Sequence, residues 1–194
     1  DADGDTYGDP ATELYSCTGV PSGFVGVGGD CDDTDSSIHP GATEICNDVD
    51  DDCDGLTDDA DPGITGQDTW YADADADGYG DAASATLACD QPSGFVSNDE
   101  DCDDSDAGVH PGATEVCNDI DDDCDGLTDD ADPGITGQDT WYADSDADGF
   151  GDASSTTLAC DQPMGYVSND EDCDDTDAAV HPGATEVCND IDDD

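Results

Sequence analysis

Apolar residues come in short clusters along this chain and never in long runs. "DTWYA" (68–72), "ATLAC" (85–89) and "GFVS" (94–97) carry β-branched or aromatic residues between Gly, Pro and Asp, so each predicts a short strand. "HPGATEICNDVDDD" (39–52) sets Ile45 and Val49 four residues apart behind Pro40 and Gly41, which predicts one or two turns of helix. Loops of Asp and Gly fill the intervals. Apolar positions are too sparse for a large core, so cross-links and bound ions have to supply much of the stability.

The clusters recur. Cys31, Cys102 and Cys173 are 71 residues apart, as are Cys46, Cys117 and Cys188. Residues 31–101 and 102–172 agree at 59 of 71 positions, which predicts a tandem array of equivalent neighbours. The expected organisation is a partial repeat at 1–30, full repeats at 31–101 and 102–172, and a partial repeat at 173–194. The chain opens inside an Asp loop and stops at "CNDIDDD", where earlier copies continue "CDG". A cysteine is expected next, so the odd count of 11 reflects where the segment stops. The expected fold class is a string of small loop-rich repeats, each with short β-strands and one short helix, stabilised by disulfides and calcium into an extended array.

Composition sharpens this picture. There are 56 acidic residues and no Lys or Arg, a formal net charge of −56, so no carboxylate can pair with a basic side chain of that kind. Like charges at this density oppose compaction, so either the chain stays expanded or cations enter the structure. Acidic composition with few aromatics is the mark of disorder. The cysteines and the near-exact repeat outweigh that reading. Thiols at this density suit an oxidising compartment, which places the chain outside the cell or on its surface. No apolar run is long enough to span a membrane, and the lack of basic residues argues against nucleic acid.

Alternating carboxylates followed by Gly are how EF-hand loops gather oxygen ligands for a hard cation. "YADADADGYGD" offers Asp73, Asp75, Asp77, the Tyr79 carbonyl and Asp81, but Ser84 stands at the twelfth position, so a ligand from elsewhere must complete the shell. Its counterparts are Asp1, Asp3, Asp5 and Asp9, and Asp144, Asp146, Asp148, the Phe150 carbonyl and Asp152. A second loop, "DDDCDGLTDDAD", fits the spacing through its twelfth residue with Asp50, Asp52, Asp54, the Leu56 carbonyl, Asp58 and Asp61. Asp121, Asp123, Asp125, the Leu127 carbonyl, Asp129 and Asp132 repeat it. A third cluster surrounds each "DC" step: Asp30, Asp32, Asp33, Asp35 and Glu44; Asp101, Asp103, Asp104, Asp106 and Glu115; Asp172, Asp174, Asp175, Asp177 and Glu186. Its spacing fits no single loop. Oxygen-only ligands on flexible loops favour calcium over magnesium, so several calcium ions per 71-residue repeat are the expected cofactor.

The stretches "DADADGYGD", "GFVSNDEDCDD" and "HPGATEICNDVDDDCDG" together resemble the MopE-type metal-binding repeat of secreted and surface proteins of bacteria, and the Asp-rich part is similar to thrombospondin type 3 calcium repeats. That resemblance covers essentially the whole chain and implies an extracellular, metal-binding, repeat-built protein without enzymatic activity.

Four cysteines per repeat allow three pairings. Short loops favour local closure: Cys17 with Cys31, Cys46 with Cys53, Cys89 with Cys102, Cys117 with Cys124, Cys160 with Cys173, and Cys188 with the cysteine expected next. His39, His110 and His181 each precede Pro-Gly. With Trp70 or Trp141 they could be imagined as a copper site, but one imidazole per repeat is a poor ligand set, and a packed turn residue is the favoured reading. The expected function is a calcium-stiffened stalk, adhesin spacer or filament whose partners are calcium, neighbouring repeats and other copies in a fibre. The alternative is a secreted or surface protein that scavenges or stores copper or calcium. No Ser, His and base form a catalytic motif, and an enzyme is the weakest reading.

Overall fold

A computed structural model describes residues 1–188. The chain divides into two compact units, Asp1–Asp99 and Glu100–Asp194. In the first unit, β1 (Asp68–Ala72), β2 (Asp81–Ala88) and β3 (Phe95–Val96) form an antiparallel sheet in the order β2-β1-β3. In the second, β4 (Asp139–Ala143), β5 (Asp152–Ala159) and β6 (Tyr166–Val167) repeat that order as β5-β4-β6. The three expected strands are present. The middle one starts earlier than expected, at Asp81, across a register shift between Tyr71 and Ala72.

Gly80 and Gly151 permit that sheet to close on its Asp loop. A Cβ at Gly80 would lie 2.7 Å from Tyr71 Cβ and 2.8 Å from both the Asn98 carbonyl and Val96 Cγ2. Trp70 Nε1 donates to the Ala88 carbonyl at 3.2 Å, which fastens the aromatic edge of β1 across β2.

The expected helix over 39–52 does not form; the described residues contain only single 3-10 turns, at Pro10–Thr12, Asp58–Ala60 and Asp129–Ala131. Carboxylates take the amides that a helix would bond to carbonyls. Ile45 N–H donates to Asp51 Oδ2 (3.1 Å), Asn47 and Asp48 N–H to Asp58 Oδ1 (2.9 and 3.1 Å), and Asp51 N–H to Glu44 Oε2 (2.8 Å). Such side-chain bonding competes directly with helix. Asp48 and Cys53 also sit at φ 63° and 59°, in the left-handed region. Ile45 and Val49 stay exposed, and Ile45 makes only a single parallel bridge to Thr65.

The disulfides are not the local ones. Cys31 pairs with Cys53 and Cys46 with Cys89; Cys102 pairs with Cys124 and Cys117 with Cys160. The expected Cys46–Cys53 closure fails because the carboxylate-capped turn between them folds back. Cys53 Sγ instead accepts the Cys31 N–H at 3.1 Å. Both carboxylate oxygens of Asp59 accept the Cys89 N–H at 3.0 Å, which brings the end of β2 to the turn that holds Cys46. Cys17, Cys173 and Cys188 are free and exposed, which overturns the Cys17–Cys31 and Cys160–Cys173 expectations, and the observed pairs overturn Cys89–Cys102 and Cys117–Cys124. The partner expected for Cys188 lies outside the described residues.

The interior is unusual in kind. Among the described residues the buried apolar ones are Ile38, Ala88, Val109, Ala159 and Val180, whereas eight acidic residues are buried: Asp30, Glu44, Asp51, Asp61, Asp101, Glu115, Asp122 and Asp132. Capped carboxylates, more than hydrocarbon, fill these units.

Candidate metal centres

Each Asp loop is built from turns in which one carboxylate oxygen accepts a backbone N–H two or more residues ahead. In the first loop Gly4 N–H donates to Asp1 Oδ1 (2.7 Å), Asp5 N–H to Asp3 Oδ1 (3.2 Å) and Tyr7 N–H to Asp5 Oδ1 (2.7 Å). The same bonding leaves the second oxygens pointing inward. Asp3 Oδ2 and Asp5 Oδ2 are buried and have no hydrogen-bond partner.

The "DC" step brings a carboxylate beside the loop that lacks one at its twelfth position. Gly29 and Asp30 N–H both donate to the Gly8 carbonyl (3.1 and 3.3 Å), which seats Asp30 beside the loop. Asp30 is 1% exposed; its Oδ1 accepts the Asp32 N–H at 2.9 Å, and its Oδ2 has no partner. Oxygens of Asp3, Asp30 and Asp33 lie within 4.8 Å of one another, and so do those of Asp1, Asp3 and Asp5. Burial, then repulsion from Asp5, Asp3 and Asp33, pushes the Asp30 carboxyl above the usual carboxylate range. A buried carboxylate oxygen with no donor is costly, and an ion between these groups would remove that cost.

The second unit repeats the arrangement with Asp144, Asp146, Asp148 and Asp172. Asp148 N–H donates to Asp144 Oδ1 (3.1 Å) and Asp146 Oδ1 (3.2 Å), Phe150 N–H to Asp148 Oδ1 (2.8 Å), and Asp172 N–H to the Gly151 carbonyl (3.1 Å). Asp146, Asp148 and Asp172 each keep an unpartnered buried Oδ2. Asp175 accepts the Ser145 N–H and hydroxyl at 2.6 Å, closing the loop from the other side. Burial, with Asp148, Asp172 and Asp144 close by, raises the Asp146 carboxyl. In the loop at 73–81, Asp73 Oδ1, Asp75 Oδ2 and Asp77 Oδ2 are likewise unpartnered. Asp81 and Asp152 turn away: Asp81 accepts from Ala83 N–H and the Ser84 hydroxyl, and Asp152 from Ser154 N–H and hydroxyl. Asp9 similarly accepts the Ala11 N–H.

The second loop type is more fully satisfied by its own backbone. Oxygens of Glu44, Asp50 and Asp52 come within 4.8 Å of one another, as do those of Asp52, Asp54 and Asp61. Burial first, then Asp54, Asp61 and Asp50, raises the Asp52 carboxyl; Asp123 is raised by the same causes from Asp125, Asp132 and Asp121. Glu44, also 1% exposed, accepts the Asp51 and Asp58 amides (2.8 and 3.0 Å), and Glu115 accepts those of Asp122 and Asp129 (both 2.8 Å). Asp58 and Asp129, expected at the ninth ligand position, bond the 47–48 and 118–119 amides instead.

The third cluster therefore divides by role. Asp30, Asp33, Asp172 and Asp175 face the first loop type, and Glu44 faces the second. Asp32, Asp35, Asp103, Asp106, Asp174 and Asp177 cap the turns that follow them. Sequence reasoning missed Asp51 and Asp122, which are buried and bind Ile45 or Val116 N–H and the Asn47 or Asn118 amide. Their place between alternating ligands, hence on the opposite face of the loop, was the available signal.

Two of the histidines stack on the aromatic residue of an Asp loop of the first type. His39 stacks on Tyr7 at 5.0 Å and His181 on Phe150 at 5.1 Å, and each Nδ1 meets the following proline carbonyl, which can only accept. His110 Nδ1 meets the Pro111 carbonyl in the same way, at 3.2 Å.

The Cu-binding MopE family model, described as "Putative metal-binding motif", matches residues 30–59, 101–130 and 172–194. These segments begin at Asp30, Asp101 and Asp172, and the first two run into the second loop type, stopping two residues before Asp61 and Asp132. No curated protein and no solved structure matches the chain. The chain is a disulfide-stabilised protein of Asp-rich repeats that carries acidic clusters able to hold a metal ion. No helix of the described residues is long and apolar enough to cross a membrane.

Proposed function

We propose that this chain is a secreted or surface protein that captures divalent cations in all-oxygen sites, calcium being the ion those sites suit best. The buried, unpartnered Oδ2 of Asp30 beside Asp3 and Asp33 carries the reading. In this account Asp1, Asp3, Asp5, Asp30 and Asp33 hold one ion, and Asp144, Asp146, Asp148 and Asp172 its counterpart. Glu44, Asp50, Asp52, Asp54 and Asp61 hold an ion of the second type. Carboxylate oxygens on flexible loops are hard ligands that accommodate calcium's large, irregular shell. The four disulfides fit an oxidising compartment outside the cell.

Two further readings have specific support. The name of the matched family favours copper capture, and a histidine whose Nδ1 is bonded keeps Nε2 open as a nitrogen ligand. Calcium-dependent stiffening of a stalk or filament is supported by the first site type, which joins loop 1–9 to Asp33 across the expected repeat boundary at 30/31. Calorimetric titration of chelator-stripped, disulfide-intact protein with calcium, magnesium and Cu(II) separates the readings. Calcium binding in preference to magnesium, unaffected by His39→Ala, supports the oxygen sites. Tight Cu(II) binding that depends on the histidines, with no calcium heat, would replace them with copper scavenging.

A further inference from the structure

Five Asp-Gly steps occur in the chain, and every one lies in an Asp loop: Asp3-Gly4, Asp54-Gly55, Asp77-Gly78, Asp125-Gly126 and Asp148-Gly149. Such a step is open to attack by the glycine nitrogen on the preceding side chain, because glycine has no Cβ to block the approach. In four of the five, a carboxylate at the head of the loop grips the glycine amide. Gly4 N–H donates to Asp1 Oδ1 (2.7 Å), Gly55 N–H to Asp50 Oδ2 (3.0 Å), Gly126 N–H to Asp121 Oδ2 (2.9 Å) and Gly149 N–H to Asp144 Oδ2 (3.3 Å). Gly78 is the exception. Its N–H meets no acceptor among the described residues, and Oδ1 of Asp73, the residue in the gripping position, is buried without a partner.

The loops at 73–81 and 144–152 are otherwise held alike. The Asn98 and Asn169 side chains donate to the Gly78 and Gly149 carbonyls at 2.9 Å, and Tyr79 and Phe150 N–H donate to Asp77 and Asp148 Oδ1 at 2.8 Å. Gly78 is exposed, so water reaches the step. We propose that Asp77-Gly78 is a modification site, where this chain converts an aspartate to isoaspartate through a cyclic imide. The Gly78 nitrogen bonds to Asp77 Cγ, a Cγ–O bond breaks, and the oxygen leaves as water with the amide proton and one proton from solvent. Water then opens the five-membered ring. Opening at the main-chain carbonyl leaves the chain running through Cγ, with one more carbon in the backbone. Asp77 then leaves the alternating register of Asp73 and Asp75, and Tyr79 N–H loses the Asp77 acceptor. In the other loops the gripping bond has to break before the nitrogen can turn. The head carboxylate thus protects the backbone behind it, whether or not it also holds an ion.

The test is ageing of the intact, disulfide-bonded 194-residue protein in chelator at neutral pH. Peptide mapping with electron-transfer fragmentation then distinguishes the β-linked residue at each step. Isoaspartate should accumulate at Asp77 about tenfold or more faster than at Asp3, Asp54, Asp125 or Asp148, the effect of one hydrogen bond to a charged group. Hydrogen exchange should show the Gly78 amide less protected than those of Gly55 and Gly126. Asp50→Ala should raise the rate at Asp54 toward that at Asp77 and leave Asp125 slow. The Leu56 amide, held by Asp54, should stay protected in that variant, which separates a lost grip from a lost loop. Equal rates at all five steps, a faster step elsewhere, or no isoaspartate at Asp77 overturns the proposal.

Discussion

Replacing Asp30 with Asn should have opposite effects with and without a cation. The amide keeps an oxygen for the Asp32 N–H and puts a donor where the unpartnered Oδ2 now faces other carboxylates. Unit charges at the 4.8 Å limit of the Asp3, Asp30 and Asp33 group repel by about 3 kcal/mol per pair at an effective dielectric constant near 20. Asp3 and Asp33 reach solvent, so the net relief is reduced to about 1–2 kcal/mol. Hydrogen exchange of the Asp5 and Tyr7 amides, which close the loop, reports this locally, where whole-chain melting of several units would not. In chelator, Asp30→Asn should raise their protection by roughly tenfold. In saturating calcium the variant lacks one anionic ligand, and protection should fall below that of the parent. Lower protection in chelator, with no dependence on calcium, would mean that Asp30 is only a turn cap, and the reasoning would fail.

The disulfide pattern can be checked by peptide mapping, and Cys46→Ser with Cys89→Ser should cost about 4 kcal/mol by the chain-entropy model for a 43-residue separation. A free Cys46, or a mapped Cys46–Cys53 bond, would contradict the fold. Gly80→Ala puts a methyl within 2.8 Å of three neighbours and should destabilise the first unit by about 1–3 kcal/mol; a neutral result in exchange or melting would mean that β1 does not seat there. Carboxyls held above the usual range at Asp30, Asp52, Asp123 and Asp146 stabilise the metal-free protein when protonated. Its stability should therefore rise as pH falls from neutrality through their raised values. Asp35, Asp81 and Asp152, held low by hydrogen bonds from Ser or Ala, lose their contribution only at still lower pH. A maximum near pH 4 is expected in chelator, with calcium affinity falling over the same window; a steady loss of stability from pH 7 downward would refute this.

Strands and loop registers could be read from sequence because both are local. β1 is a run of Thr, Trp and Tyr between Asp residues, and Asp3, Asp5 and Asp146 alternate as their turns demand. The helix at 39–52 was misread because Ile45 and Val49 show helical spacing, while the amides that decide the matter are taken by Glu44, Asp51 and Asp58. Those bonds span up to 11 residues and leave no periodic trace. The cysteine pairs were misread for a related reason: Cys89 reaches Cys46 only because Asp59 docks the end of β2. The "DC" cluster fitted no loop because its members serve separate structures, Asp30 one site, Glu44 another and Asp32 a turn.

The measurement that bears most directly on the carboxylate sites is anomalous diffraction from crystals of chelator-stripped protein soaked separately in calcium and in Cu(II). The account predicts calcium peaks among the oxygens of Asp3, Asp5 and Asp30 and among those of Asp146, Asp148 and Asp172. Copper peaks at the Nε2 atoms of His39 and His181, with no calcium between the carboxylates, would contradict it.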